Sequence, residues 1–193
     1  MSRITSFDIV APRGSAAQLV RAVAAHLVAT DRDRLLRVLD TGVEQLMRDV
    51  DRTDCDAHEG SYPCLTFLFP PDELLRVFQS ESEFAGDADA ATGRVAVGSI
   101  WCDFELREHF TQFYAVAPTD DVCDLFFESS SVLDSFIDIA KQTPGATLAR
   151  YDDVLGRYDL IWRSPDATDY VRSLPEAAVD RCCLEVLNAI ECA

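Results

Sequence analysis

The chain opens on an alternation, with Ile4, Ser6 and Asp8 on one side and Thr5, Phe7 and Ile9 on the other. This pattern predicts a short strand of undecided facing, ended by Pro12 and Gly14. From Ser15 the period changes to helical steps, and Ala16, Leu19, Val20, Val23, Leu27 and Val28 form a broad apolar face. Thr30 or Asp31 can cap a second helix through Leu36, Leu39, Val43, Leu46, Met47 and Val50. The pair reads as a helical hairpin laid over another layer. Polar residues 51–60 form a loop, and the apolar run Cys64–Phe69, stopped by Pro70 and Pro71, predicts a buried strand. Asp72 then caps a short helix through Leu74, Leu75 and Phe78. Residues 80–93 are acidic with little to bury, and read as a mobile loop.

Arg94 to Ala117 carries the densest β signal, with apolar and aromatic residues on both sides of a charged break at Arg107-Glu108. Two long strands joined as a hairpin follow from it. Thr119 can cap a turn toward Leu125 and Phe126, and Ser131 a further helix through Leu133, Phe136, Ile137 and Ile139, stopped by Pro144-Gly145. A second hairpin spans Thr147–Tyr151 and Arg157–Trp162, and Pro175 opens a last helix through Ala178, Cys182, Leu184, Val186, Leu187 and Ile190. Paired hairpins without regular strand–helix alternation predict an α+β fold: one domain over residues 1–193, mainly an antiparallel sheet with helices packed on it.

Charge changes the picture most. Thirty-four Asp and Glu face 17 Lys and Arg among 193 residues, a formal net charge of −17. Residues 1–50 are close to balance, so the acidity belongs to everything after them. A surface of this sign repels nucleic-acid phosphate and anionic lipid, and attracts basic proteins while speeding their encounter. Neither nucleic acid nor membrane is therefore expected as a partner. A hydrophobic share of 48% fits a folded chain, and no apolar run approaches the roughly 20 residues of a transmembrane helix. The start lacks a secretory pattern, and seven scattered cysteines read as reduced thiols, which together predict a cytoplasmic protein. Cys102, Cys123 and one of Cys182 or Cys183 sit in apolar runs and read as core.

Candidate chemistry is sparse. Cys55, His58 and Cys64 give three zinc-type ligands without a partner pair, so no metal is expected there. Asp120, Asp121 and Asp124 match the bare pattern in which terpene synthases hold magnesium. The second metal motif of those enzymes is missing, and acidic residues in a first helical turn answer equally to the macrodipole. His26 falls in an apolar helix, His58 in the acidic loop and His109 at a hairpin tip, none beside a nucleophile. No Gly-rich phosphate cradle or nucleophile elbow occurs. No cofactor and no catalytic set is expected. The hairpin aromatics Trp101, Phe104, Phe110, Phe113, Tyr114, Tyr151, Tyr158 and Trp162 should divide between the core and an outward face.

Acidic charge, small size, reduced thiols and an α+β hairpin layout resemble the general cast of bacterial toxin-immunity proteins. The likeness lies in bulk character, without a defining motif. It implies occlusion of the active cleft of a cognate basic toxin by an acidic surface. Charge and expected exposure select Asp54, Asp56 and Glu59 in the 51–60 loop, Glu105 and Glu108 at the hairpin tip, and Asp120, Asp121 and Asp124 as contacts. Two other classes stay open: an acidic DNA mimic or anti-defence inhibitor, and a small-molecule binder or enzyme using a pocket on the sheet.

Overall fold

A computed structural model describes residues 4–41, 64–86, 88–117, 119–152 and 154–167. Among these residues six segments form strands: β1 (Thr5–Pro12), β2 (Cys64–Phe69), β3 (Val95–Leu106), β4 (Phe110–Ala117), β5 (Thr147–Asp152) and β6 (Arg157–Arg163). They pair antiparallel throughout, in the order β2-β3-β4-β1-β5-β6. The helices are α1 (Ala16–Ala24), α2 (Ala29–Thr41), α3 (Glu73–Glu81), α4 (Asp120–Glu128) and α5 (Ser130–Lys141). The fold is α+β, as the hairpin pattern predicts.

The N-terminal strand is central, bonded to β4 on one side and β5 on the other. Its alternation leaves the facing undecided because both of its faces are covered: Phe7 and Ile9 are fully buried, and Ser6 and Asp8 are buried as well. On the helix side, Phe7 stacks on Phe136 of α5 at 4.3 Å and tilts against Phe126 of α4 at 5.0 Å. Phe67 and Phe69 of β2 reach the same Phe136 ring at 5.7 and 6.3 Å. Five rings thus knit the sheet to α4 and α5, and offset and tilted contacts of this kind add to what burial alone supplies.

Several boundaries differ from the sequence expectation. Helix α1 stops at Ala24, and Leu27 bridges Phe67 while Val28 N–H donates to Thr66 O and Leu68 N–H to His26 O. Asp31 accepts from Thr66 N–H at 2.8 Å. The link between α1 and α2 therefore covers the outer edge of β2, whose backbone groups would otherwise invite strand addition. Covering that edge takes precedence over continuing the helical period. His26 accordingly lies in this turn and not inside a helix. The cap of α5 is Ser129, whose hydroxyl accepts from Val132 N–H, and not Ser131. The segment expected as a mobile loop begins with the last turn of α3, and Ala85 bridges Val97 with Phe84 packed on the core. Asp89 accepts from Ala91 and Thr92 N–H in the turn that follows.

The two predicted hairpins, the Cys64–Phe69 strand and the Asp72 and Thr119 caps all form. Cys102 and Cys123 are fully buried, and burial, with Cys64, Asp103 and Asp31 nearby, raises the Cys102 thiol well above its ordinary pKa. The apolar positions Val43–Val50, the loop bearing Asp54, Cys55, Asp56, His58 and Glu59, and the helix expected from Pro175 lie outside the described residues.

Candidate functional site

Two clusters stand out, one on each side of the sheet. On the side away from α4 and α5, Asp8 accepts from Ser6 Oγ at 2.7 Å and from Gln112 Nε2 at 3.2 Å. Burial drives the Asp8 carboxyl up to a pKa of about 6, against the two hydrogen bonds that favour the charged form. On the neighbouring strand β4, directly opposite Asp8, the Tyr114 hydroxyl lies 3.0 Å from Asp103 Oδ2 and 2.9 Å from Glu105 Oε1 of β3. It has one proton to donate, to one carboxylate at a time. Burial, the hydrogen bond to Glu105 and the charges of Asp103 and Glu105 raise the Tyr114 pKa, so the phenol stays protonated. Glu105 also pairs with Arg107. These groups largely answer one another, and Asp8 and Gln112 are almost fully buried. The cluster reads as a polar layer of the fold.

On the helix side, α3 and α4 enclose a groove. One depression, of about 440 Å³, brings the start of α3 beside Glu128 at the end of α4. The next, of about 200 Å³, brings the end of α3 beside Asp121 and Asp124 at the start of α4. The two helices therefore run antiparallel. Leu74 and Val77 line both depressions, and Phe78 and Leu125 extend the apolar floor of the second. Val77 is 46% exposed while Phe78 and Leu125 are buried, so an apolar ridge stands in the middle of the groove.

The rim is acidic at both ends, with Glu73 and Glu128 at one and Glu81, Asp121 and Asp124 at the other. All five are exposed, and none forms an ion pair among the described residues. Glu73 and Asp121 lie in first helical turns, where the macrodipole favours them. Glu81 ends α3, where its own helix disfavours a negative charge and no basic residue occupies the last turn. Arg150 serves the end of α4 from the inner side, its guanidinium 3.4–3.5 Å from Phe126 and Phe127 O and 4.5 Å from the Phe127 ring centre. Glu128 faces outward into the groove.

Asp72 sets one end of the groove. Its Oδ1 accepts from Leu75 N–H at 2.8 Å, capping α3, while Oδ2 accepts from Ser129 Oγ at 2.6 Å and Ser131 N–H at 3.2 Å. Burial would raise its pKa, but the Ser129, Leu75 and Ser131 hydrogen bonds outweigh burial and hold it below the ordinary value. One carboxylate thereby ties the starts of α3 and α5 together.

The expected contact residues do not form one surface. Asp121 and Asp124 line the groove, and Asp120 is exposed at the start of the same helix. Glu105 belongs to the polar layer, and Glu108 is exposed at the β3–β4 tip, 3.8 Å from His109. That tip and the start of α4 lie at opposite ends of β4, about 24 Å apart at the rise of an extended strand. Asp120, Asp121 and Asp124 do not converge, and no three His, Cys, Asp or Glu side chains among the described residues are placed to share a metal. On the α3 side of the groove, Glu73, Val77 and Glu81 carry no motif in the sequence. The one signal there is a valine with a glutamate four residues to either side, one helical turn away.

No family model matches the chain, and no curated protein or solved structure shows significant similarity to it.

Proposed function

We propose that this chain is an acidic binding protein that engages a basic protein partner through the α3–α4 groove and neutralises it by covering its working surface. The observation that carries the reading is the pairing of an exposed apolar floor with five carboxylates unmatched by any cation among the described residues. Protein interfaces place a desolvated apolar centre inside a polar rim, and a rim of one sign selects partners of the other. A net charge of −17 adds long-range attraction for a basic protein. In this reading the chain acts as an immunity protein toward a basic toxin, with Asp121 and Asp124 in contact and Asp120 at the margin.

The test begins with affinity capture by the wild-type chain and by an Asp121→Asn/Asp124→Asn variant, each eluted with rising salt. A basic partner retained by the first and lost early from the second is then purified, and its own activity is assayed with and without an equimolar amount of this chain. Salt-sensitive retention together with loss of the partner's activity supports the reading. Identical capture by both baits removes the groove from the function, and a fully active partner at saturation removes neutralisation.

A further inference from the structure

We infer that the occupant of the groove is an amphipathic α-helix of the partner, with an apolar stripe flanked on both sides by Arg or Lys. The inference rests on the proposed function and specifies what that site receives. Both walls are helices, whose backbone N–H and C=O groups are bonded internally except at their ends. An extended segment laid between them would find no strand edge to pair with, because the residues lining the groove belong to helices and their caps. A helix satisfies its own backbone and presents only side chains, which is what such a groove can accept.

The floor has matching spacing. Leu74, Val77 and Phe78 lie at i, i+3 and i+4 on α3, and Val77 forms a ridge between two depressions. A guest helix packing across this ridge would place one apolar side chain in each depression, at i and i+3 or i+4, with a third near i+7. Helix α3 has nine residues, about 13 Å of axis, enough for roughly two and a half turns of the guest. Charge fixes the flanks. Carboxylates stand on both walls and at both ends of the groove, so cations are needed on both sides of the apolar stripe.

The test uses a synthetic peptide with Leu at i, i+4 and i+7 and Arg at the flanking positions. A second peptide, otherwise identical and of the same charge, carries two central Pro substitutions that prevent helix formation. Binding to the full chain is measured by fluorescence anisotropy, and helicity of the bound peptide by circular dichroism. Val77→Arg serves as the blocking variant, since Val77 is exposed and its replacement leaves the core intact. The expected result is binding of the helical peptide, at least tenfold weaker to Val77→Arg and at least tenfold weaker for the Pro peptide. Equal binding of both peptides would overturn the helical occupant and leave the acidic-groove function standing. Failure of the helical peptide to bind would overturn it too, as would binding indifferent to Val77→Arg. The proposed function falls separately, if capture of the natural partner ignores both Val77→Arg and Asp121→Asn/Asp124→Asn.

Discussion

Replacing Asp8 by Asn should stabilise the protein at neutral pH. Asp8 lies on the central strand, is 3% exposed, and accepts from Ser6 Oγ and Gln112 Nε2. Burial pushes its carboxyl up to about 6 in the fold from an ordinary 3.8, so between those values the native state binds more protons than the unfolded chain. Stability from this residue is therefore complete below about pH 4, declines as pH rises through the window, and is lost above about pH 6. A shift of about two units at 1.36 kcal/mol each puts the swing at about 3 kcal/mol. Asn cannot ionise, and it can keep both contacts by accepting from Gln112 with its oxygen and donating to Ser6 Oγ with its amide. Urea denaturation of both proteins from about pH 4 to pH 7.5 should show the variant more stable by about 1–3 kcal/mol at the upper end, with the gap closing at the lower. A variant less stable than wild type at pH 7, or a difference that does not change with pH, would refute the argument that burial of this charge is unfavourable.

Three further outcomes follow from the same packing. Asp72→Ala removes the α3 cap and the acceptor for Ser129, and should cost about 2 kcal/mol in chemical denaturation. Combined with Ser129→Ala it should cost less than the two separate losses, because the hydroxyl and the carboxylate share one bond. Phe136→Ala opens the centre of the five-ring cluster and should cost about 3–5 kcal/mol, read as a fall in urea midpoint with an unchanged slope. His26 is buried, and its Nδ1 has no hydrogen-bond partner among the described residues. Burial and the charge of Arg94 lower its pKa against the pull of Asp138. The native state then binds fewer protons than the unfolded chain, so stability present above pH 6.5 is lost as pH falls through the lowered value. His26→Gln should flatten that acid limb, and an unchanged limb would show that His26 does not produce it.

Local chemistry made much of the fold legible. Asp72 and Thr119 precede apolar helical periods and cap them, and the β3–β4 turn falls where Arg107-Glu108 interrupts two apolar runs. The pattern points to Ser131 as the α5 cap, but Ser129 precedes the same apolar period and is the residue that caps it. Their spacing alone does not reveal that Asp72, far away in sequence, holds Ser129 Oγ and Ser131 N–H together. The strand order was not readable either. That Thr5–Pro12 enters between β4 and β5 is a matter of long-range pairing, and it buries Ser6 and Asp8 on a strand whose alternation alone leaves the facing undecided.

The candidate site divides along the same line. Net charge is a sum over residues and survives any arrangement, so an acidic surface seeking a basic partner could be argued from composition. Where that charge becomes useful depends on which apolar residue it surrounds. Asp121 and Asp124 acquire a floor only because α3 and α4 pack antiparallel and bring Leu74 and Val77, some 45 positions earlier, beside Leu125. Glu105 and Glu108 carry the same charge but meet Tyr114, Arg107 and His109 instead. The charge of Glu105 is answered by Arg107, whereas the groove's carboxylates have no ion-pair partner among the described residues. Substitutions should separate the two sets: neutralising Asp121 and Asp124 should slow association with a basic partner by about tenfold at low salt, and neutralising Glu108 at the far end of β4 should change it by less than about twofold. Stopped-flow rates across a salt series decide it, and equal slowing by both changes would mean that overall charge, and not the groove, directs the encounter.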